Sequence, residues 1–226
     1  MGALIVFEGT DGSGKATQTK LLGERLAAEG IDFKKLDFPR YGEPSCKLVE
    51  MYLHGEFGKK PDDVNAYAAS TFYAADRFAS YKQEWEAYYK EGGLLLADRY
   101  TTSNAVHQTA KMPQDERKAF LDWLFDFEYE KMGLPAPDLV FYLDLPTDLS
   151  EKMLRGRESA TGTSADIHEA DRQYLMESRR AGRQAAELCG WTIVDCAKDG
   201  TVRTVEDIHE EVYKTFMRFW EKASRA

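Results

Sequence analysis

Seven consecutive residues, Gly9-Thr10-Asp11-Gly12-Ser13-Gly14-Lys15, follow the apolar run Leu4-Ile5-Val6-Phe7. They have the make-up of a phosphate-binding loop. Glycines let successive backbone N–H groups converge on phosphate oxygens. A helix starting at Lys15 adds the positive end of its dipole, and the lysine adds a full charge. This chemistry handles a nucleoside triphosphate. The usual pattern continues with Ser or Thr, whose hydroxyl binds Mg²⁺. Here Ala16 takes that position and Thr17 follows. Metal binding then falls to other ligands, such as water and a carboxylate. The bare alternative is a glycine-rich turn without a ligand.

Five further groupings could meet such a phosphate chain. Asp98-Arg99-Tyr100 follows the run Leu94-Leu95-Leu96-Ala97, so an acid and a guanidinium stand at the tip of a buried strand, near metal-bound phosphates. Phe38-Pro39-Arg40-Tyr41 ends a second strand, and Arg40 could clamp a phosphate bidentately. Tyr73 and Arg77 share a helix face, one able to stack on a base and the other to donate to its carbonyl. The plain alternative is a core ring and a surface ion pair with Asp76 or a neighbour. Asn104 and Gln108 also share a face, and amides suit a pyrimidine edge. Their alternative is a cap-region amide and a solvent-facing one. Asp166, His168 and Glu169 come later. They suit either a helix dipole or contact with a sugar or metal.

The elements that must position these groups alternate. Strands are expected at Leu4–Phe7, Phe33–Asp37, Leu94–Ala97, Leu139–Leu143 and Thr192–Asp195. Helices are expected at Lys15–Ala28, Cys46–Leu53, Val64–Tyr89, Ser103–Lys111, Gln114–Tyr129, Leu149–Arg155, Ala170–Leu188 and Val205–Trp220. This order predicts an α/β fold: a five-stranded parallel sheet flanked by helices in three layers, of the P-loop NTPase type. Ligands in such folds sit at the carboxyl ends of the strands. With no linker-like shift in composition, residues 1–226 read as one domain. The stretch 156–165 is small, polar and glycine-containing. It is expected to be a loop, and with Arg155 and Arg157 at its start it reads as a lid closing over phosphates, at about 156–167.

Composition narrows the class. The chain has 226 residues and a net charge of −9. This argues against a nucleic-acid partner, since duplex binders show a basic face. A few converging arginines can still make a local anion site. No run approaches the ~20 apolar residues of a membrane span, and the first residues do not read as a signal peptide. The cysteines, Cys46, Cys189 and Cys196, form no C-x-x-C. Reduced thiols in a cytoplasm are the simplest account.

Taken in order, these motifs resemble the thymidylate kinase family, from the first strand to about Asp195. The landmarks are Gly9–Lys15 with Asp11 inside it, Phe38-Pro39-Arg40-Tyr41, Tyr73 with Asp76-Arg77, Asp98-Arg99-Tyr100 with Ser103-Asn104, and Asp166-Ile167-His168-Glu169. The resemblance implies phosphorylation of dTMP by ATP with Mg²⁺, in dTTP biosynthesis, by a cytoplasmic homodimer. It implies that Lys15 and the amides from Gly9 to Thr17 hold ATP, and that Asp11 lies near the acceptor's 3′-hydroxyl. Arg40 and Arg99 would bind the acceptor phosphate. Tyr73 would stack on thymine, with Arg77 at its O4 and Asn104 at its N3 edge. Phe38, Tyr41, Ser103, His107 and His168 would complete the acceptor pocket, and Asp11, Asp98 and Glu169 would lie near the metal. Gly12 stands where one branch of the family has an arginine, so lid arginines Arg155 and Arg157 would serve instead. By the same resemblance, the loop near Cys196 and Ala197 would line the adenine pocket. His107 stands where tyrosine is expected near the deoxyribose, which leaves open how a ribose 2′-hydroxyl is rejected. Another nucleoside monophosphate kinase or a deoxynucleoside kinase is the nearest alternative. A nucleotide-binding switch is a further one, although no Asn-Lys-x-Asp-like base motif is present.

Overall fold

The computed structural model describes residues 2–161, 167–168 and 171–223, with side chains for all of these except 156–161. Five strands, β1 (Ala3–Glu8), β2 (Lys34–Asp37), β3 (Leu94–Asp98), β4 (Leu139–Asp144) and β5 (Thr192–Asp195), form one parallel sheet in the order β2-β3-β1-β4-β5. The continuous apolar runs of β1 and β3 follow from burial on both faces. Ile5 and Phe7 of β1 join Leu22 and Leu26 of helix α1 (Lys15–Ala28) and Val212 and Phe216 of the last helix. Leu4 and Val6 point the other way, toward Tyr81, Trp85 and Tyr89.

Helix boundaries refine the expectation. Residues 47–53 form α2 (Lys47–Leu53), preceded by a 3-10 turn at Pro44–Cys46. The long helix is α3 (Ala66–Ser80), continued by a π-helical turn, Tyr81–Trp85, and α4 (Glu86–Lys90). Asn65 caps α3 by accepting from the Ala68 amide at 2.9 Å. After β3 come α5 (Thr101–His107) and a 3-10 turn, Thr109–Lys111. Then come α6 (Arg117–Phe125) and a π-helical turn, Asp126–Lys131.

The stretch expected to be a loop from residue 156 departs from that reading. Helix α7 runs Thr147–Thr161, past Gly156. Arg155, Arg157, Glu158 and Ala160 are good helix formers, and one glycine costs a helix only about 1 kcal/mol. The remainder of the expected lid lies outside the described residues, apart from Ile167 and His168. The last helices are α8 (Arg172–Cys189) and α9 (Val205–Ala223).

A small antiparallel hairpin, β6 (Ala197–Lys198) with β7 (Thr201–Val202), was not expected. Its two-residue turn is Asp199-Gly200, with φ of 51° and 75°. An Asp-Gly pair is the sequence signal for that turn. Among the described residues, no helix is long and apolar enough to cross a membrane.

Candidate active site

Strand β1 lies between β3 and β4, where the strand order reverses direction, and such a switch point opens a crevice at the carboxyl edge. The loop after β1 fills it. Gly9 has φ of 146°, and a Cβ there would stand 2.6 Å from the Leu143 carbonyl oxygen. Gly12 has φ of 78°, and its Cβ would stand 2.8 Å from the Ser150 carbonyl oxygen. Only glycine fits both positions. Thr10 and Ser13 are buried, whereas Ala16 and Thr17 at the start of α1 are exposed.

Lys15 is 6% exposed and folds back on the loop. Its Nζ donates to the carbonyls of Gly9 and Thr10 at 2.7 and 2.9 Å. It stands 4.0 Å from the Asp11 carboxylate. Arg99 approaches the same carboxylate from the other side and donates to Asp11 Oδ1. Arg99 is a non-glycine residue at φ 68°, a left-handed turn held by its amide donating to the Phe7 carbonyl at 3.0 Å. That turn carries the side chain off the sheet edge into the crevice.

Burial would raise the Asp11 pKa, but the Arg99 and Lys15 charges more than reverse this and hold it well below the usual carboxylate range. Burial lowers the Lys15 pKa, and the nearby Arg99 charge adds to that. Asp98, at the tip of β3, is pushed up by burial against the pull of Lys15 and Arg99. Register sets Asp98 beside Phe7 on one side and Asp37 on the other.

Glu8 forms the floor. It is fully buried and accepts from the Gly9 amide (2.9 Å), Thr102 Oγ1 (2.9 Å) and Ser103 Oγ (2.7 Å). It ties the phosphate loop to the start of α5. An acid ending an apolar strand just before the glycines was its sequence signal, and the motif reading passed over it.

The remaining expected residues divide. Arg77 and Asn104 meet in the interior. Arg77 is 1% exposed and its fork holds Glu128, with Nε donating to Oε2 at 2.7 Å and Nη2 to Oε1. Glu128 also accepts from Thr101 Oγ1 at 2.7 Å and Asn104 Nδ2 at 3.3 Å. The surface-pair alternative for Arg77 is therefore wrong. Asp76 instead holds Arg40, through its amide (2.9 Å) and Nε (3.2 Å). The Arg40 fork also reaches Ser45 Oγ at 2.7 Å and Glu84, so its donors rest on the protein's own acids. Gln108 is buried, not solvent-facing, and its Oε1 has no partner among the described residues.

Tyr73 is half-buried, edge-on to Tyr52 at 6.5 Å between ring centroids. Phe38 is buried against Tyr100, at 6.0 Å. Tyr41 is 63% exposed. Cys196 is buried and Ala197 begins β6.

His107 and His168 stack at 5.8 Å, both buried. Tyr52 OH lies 2.7 Å from His168 Nε2 and receives a bond from Lys111 Nζ at 2.9 Å. Burial lowers the Lys111 pKa to about 8. Tyr52, Lys111 and Glu128 carried no sequence signal, because long-range packing brings them together.

Arg155 is not drawn into this cluster. Its side chain is 79% exposed and lies 3.9 Å from Glu151 on the same helix. The Arg157 side chain, Asp166 and Glu169 fall outside the described residues. Among the described residues, no group of three or more His, Cys, Asp or Glu could hold a metal by itself.

Comparison with known proteins agrees with this geometry. The family model described as thymidylate kinase matches residues 7–212. The chain is 32% identical to a thymidylate kinase of Mycobacterium tuberculosis over 192 residues, covering 83% of this chain and 87% of that one. It is 31% identical to a human thymidylate kinase over 215 residues, covering 93% and 88%. It is 37% identical to a thymidylate kinase of Afipia carboxidovorans over 180 residues, covering 79% and 74%.

Proposed function

The chain belongs to the thymidylate kinase family, and from that premise we propose how its own residues carry the ATP-dependent phosphorylation of dTMP to dTDP. The observation that carries the proposal is a pair of cations, Lys15 and Arg99, meeting at the Asp11 carboxylate beside the glycine loop. Phosphoryl transfer has a loose transition state with spread negative charge, so catalysis is positioning and charge stabilisation. Lys15 and the loop amides hold the ATP phosphates. Arg99, an always-charged fork, exchanges Asp11 for the acceptor phosphate. Arg40 makes the same exchange from Asp76. Asp11, thereby released, accepts from the acceptor's 3′-hydroxyl. Tyr73, Arg77 and Asn104 take the thymine, with Glu128 fixing the last two. Arg155 and Arg157 close on the phosphates from α7.

Mg²⁺ fits this site through the phosphates rather than through a protein cage, as is usual for nucleotide enzymes. Ala16 offers no oxygen. Asp98 is the carboxylate at the strand tip, and the Ser13 hydroxyl is buried in the loop without a partner among the described residues. Asp98 would hold the ion or its water, with Asp11 and Glu169 near it. The ion would neutralise the phosphate charge that develops during transfer.

Residues 1–226 act as one catalytic unit with its lid at about 156–167. We also infer a homodimer. Support comes from Tyr67, Thr71, Ala75 and Phe78, exposed along one face of α3, with Trp123 packed on Tyr67 at 4.6 Å. The enzyme is proposed to be cytoplasmic, in keeping with its three unpaired cysteines.

The test is ADP release with ATP and Mg²⁺, comparing kcat/KM for dTMP, dUMP, UMP and thymidine. A preference for dTMP is expected. A preference for thymidine would overturn the roles of Arg40 and Arg99, since that acceptor carries no phosphate.

A further inference from the structure

Tyr52 stands near the end of α2 and is 1% exposed. The acceptor assignment above gives it no part, yet it touches two members of the expected pocket. Its ring lies edge-on to Tyr73, at 6.5 Å, and to His168, at 5.3 Å between centroids. Its hydroxyl lies 2.7 Å from His168 Nε2 and receives a bond from Lys111 Nζ at 2.9 Å. Polarity orders this chain. A lysine ammonium has donors only, so Lys111 uses the phenol oxygen as acceptor. That bond polarises the phenol. Its proton goes to the nearer acceptor, His168 Nε2, rather than to the Pro61 carbonyl at 3.3 Å. Burial, ahead of any neighbouring charge, lowers the His168 pKa well below its ordinary value, so the ring is neutral and Nε2 can accept. A second N–H of Lys111 goes to the Val64 carbonyl at 2.9 Å, beside the Asn65 cap of α3. Lys111 thus ties the turn after α5 to α2 and to the start of the helix that carries Tyr73 and Arg77.

His168 depends on such a tie. It lies in a turn, outside any helix or strand. The backbone bonds nearest it are long: Ile167 N–H to the Leu53 carbonyl and Asp171 N–H to the His168 carbonyl, each 3.4 Å. Side-chain contacts therefore do much to set the ring. His107 and Tyr174 pack on it at 5.8 and 4.8 Å, which holds its plane. A hydrogen bond to one ring nitrogen fixes which edge points where, and Tyr52 makes it.

We propose that Lys111 and Tyr52 are positioning residues for the acceptor nucleotide, acting through His168 and Tyr73. Lys111 holds the Tyr52 hydroxyl. Tyr52 holds the His168 ring and backs the Tyr73 ring, and these two rings meet dTMP. The proposal rests on the acceptor assignment above, with Tyr73 on the thymine and His168 completing the pocket. On that assignment the chain serves acceptor binding rather than ATP binding or transfer. Lys15 has its own supports, the carbonyls of Gly9 and Thr10 and the Asp11 carboxylate.

The test is steady-state kinetics of wild type, Tyr52→Phe, Lys111→Met and Lys111→Arg, varying dTMP and ATP in turn. Tyr52→Phe keeps the ring and removes the hydroxyl. It is expected to raise KM for dTMP about three- to tenfold, the size of one hydrogen bond, while kcat and KM for ATP stay within about twofold. Lys111→Met should do the same. Lys111→Arg keeps a donor at the head and should recover most of the loss. The double variant Tyr52→Phe with Lys111→Met should lose less than the product of the two singles, because both act through one hydroxyl. An unchanged KM for dTMP in Tyr52→Phe would overturn the proposal, whatever happens to its melting temperature. So would equal rises for dTMP and ATP, or a double variant that loses the full product. Failure of wild type to phosphorylate dTMP would instead overturn the acceptor assignment itself. Should these variants fail to fold, ¹⁵N NMR of wild type at neutral pH decides. His168 should carry its proton on Nδ1, with Nε2 bare, and both resonances should shift when dTMP binds. A proton on Nε2, or no shift with dTMP, refutes the proposal.

Discussion

Replacing Glu128 by Gln keeps the shape of the side chain and removes only its charge. The consequence is set by where that charge sits. Glu128 is 0% exposed and its partner Arg77 is 1% exposed. In wild type the carboxylate accepts from Arg77 Nε (2.7 Å) and Nη2, Thr101 Oγ1 (2.7 Å) and Asn104 Nδ2 (3.3 Å). A glutamine has one oxygen for these donors and sets an NH₂ against the rest. It also leaves a guanidinium in the interior without a counter-charge. Removing one partner of a buried ion pair costs about 3–5 kcal/mol, a large share of a total stability of ~5–15 kcal/mol. For a chain of this size a melting temperature moves about 2–4 °C per kcal/mol, so a fall of roughly 6–20 °C is expected. Urea unfolding at neutral pH should show a matching loss at unchanged slope.

The double variant Arg77→Met with Glu128→Leu removes both charges. Its stability should return to within about 1.5 kcal/mol of wild type, since apolar replacement of a buried pair is often neutral. Turnover of dTMP should not return with it, because the base would have lost its guanidinium. A Glu128→Gln protein within about 1 kcal/mol of wild type would refute the reasoning. So would a double variant with normal kcat/KM for dTMP.

Three other outcomes follow from the same geometry. Lys15→Ala should lower kcat at least ~10²-fold, as loss of a charge that stabilises the transition state does; near-normal turnover on dTMP would remove Lys15 from the mechanism. His107 is neutral when folded, with its pKa lowered to about 3, whereas the unfolded chain takes up a proton near pH 6.5. Its contribution is therefore complete above that value and is lost as pH falls, at about 1.4 kcal/mol per unit. The stability of wild type relative to His107→Asn should be roughly 2 kcal/mol lower at pH 5 than at pH 6.5, and parallel curves would deny the neutral ring. The Lys111 amine should titrate by NMR near 8, below the ~10.4 of an ordinary lysine. Between those values the unfolded chain holds the extra proton, so wild type should gain stability over Lys111→Met as pH rises through this window.

The phosphate loop and the strand tips were legible because they are local. A run such as Leu94-Leu95-Leu96-Ala97 has one reading when bounded by two glycines and an acid, and Lys15–Ala28 is the helix expected, residue for residue. What stayed hidden is what needs the third dimension. Asp76 sits next to Arg77 in sequence, yet one turns to Arg40 and the other to Glu128, 51 residues away. For Asn104 and Gln108 a pyrimidine edge and a cap with a surface amide stood as alternatives, because spacing gives a shared face, not which face is covered. The chain beyond Arg155 read as a loop because Gly156 and Gly162 outweighed the helix formers between them. In the fold the helix runs to Thr161. The Asp199-Gly200 hairpin carries its own local signal, an Asp-Gly pair.

A protein with net charge −9 must bind two phosphorylated ligands, and on the proposed roles the site resolves the conflict by local exchange rather than by overall sign. Three of the cations proposed for phosphate already rest on oxygen: Lys15 on the carbonyls of Gly9 and Thr10, Arg99 on Asp11, Arg40 on Asp76 and Glu84. Buried cations without such partners would carry a desolvation penalty of several kcal/mol each. The internal acids thus keep the forks charged and aimed while no ligand is present. On the proposed roles, phosphates would then replace the acids with more charge per group, and the freed carboxylates would turn to hydroxyls and metal. Part of the binding energy is used in that exchange, so the site gains order at the expense of affinity. That trade suits an enzyme that must release a product more highly charged than its acceptor.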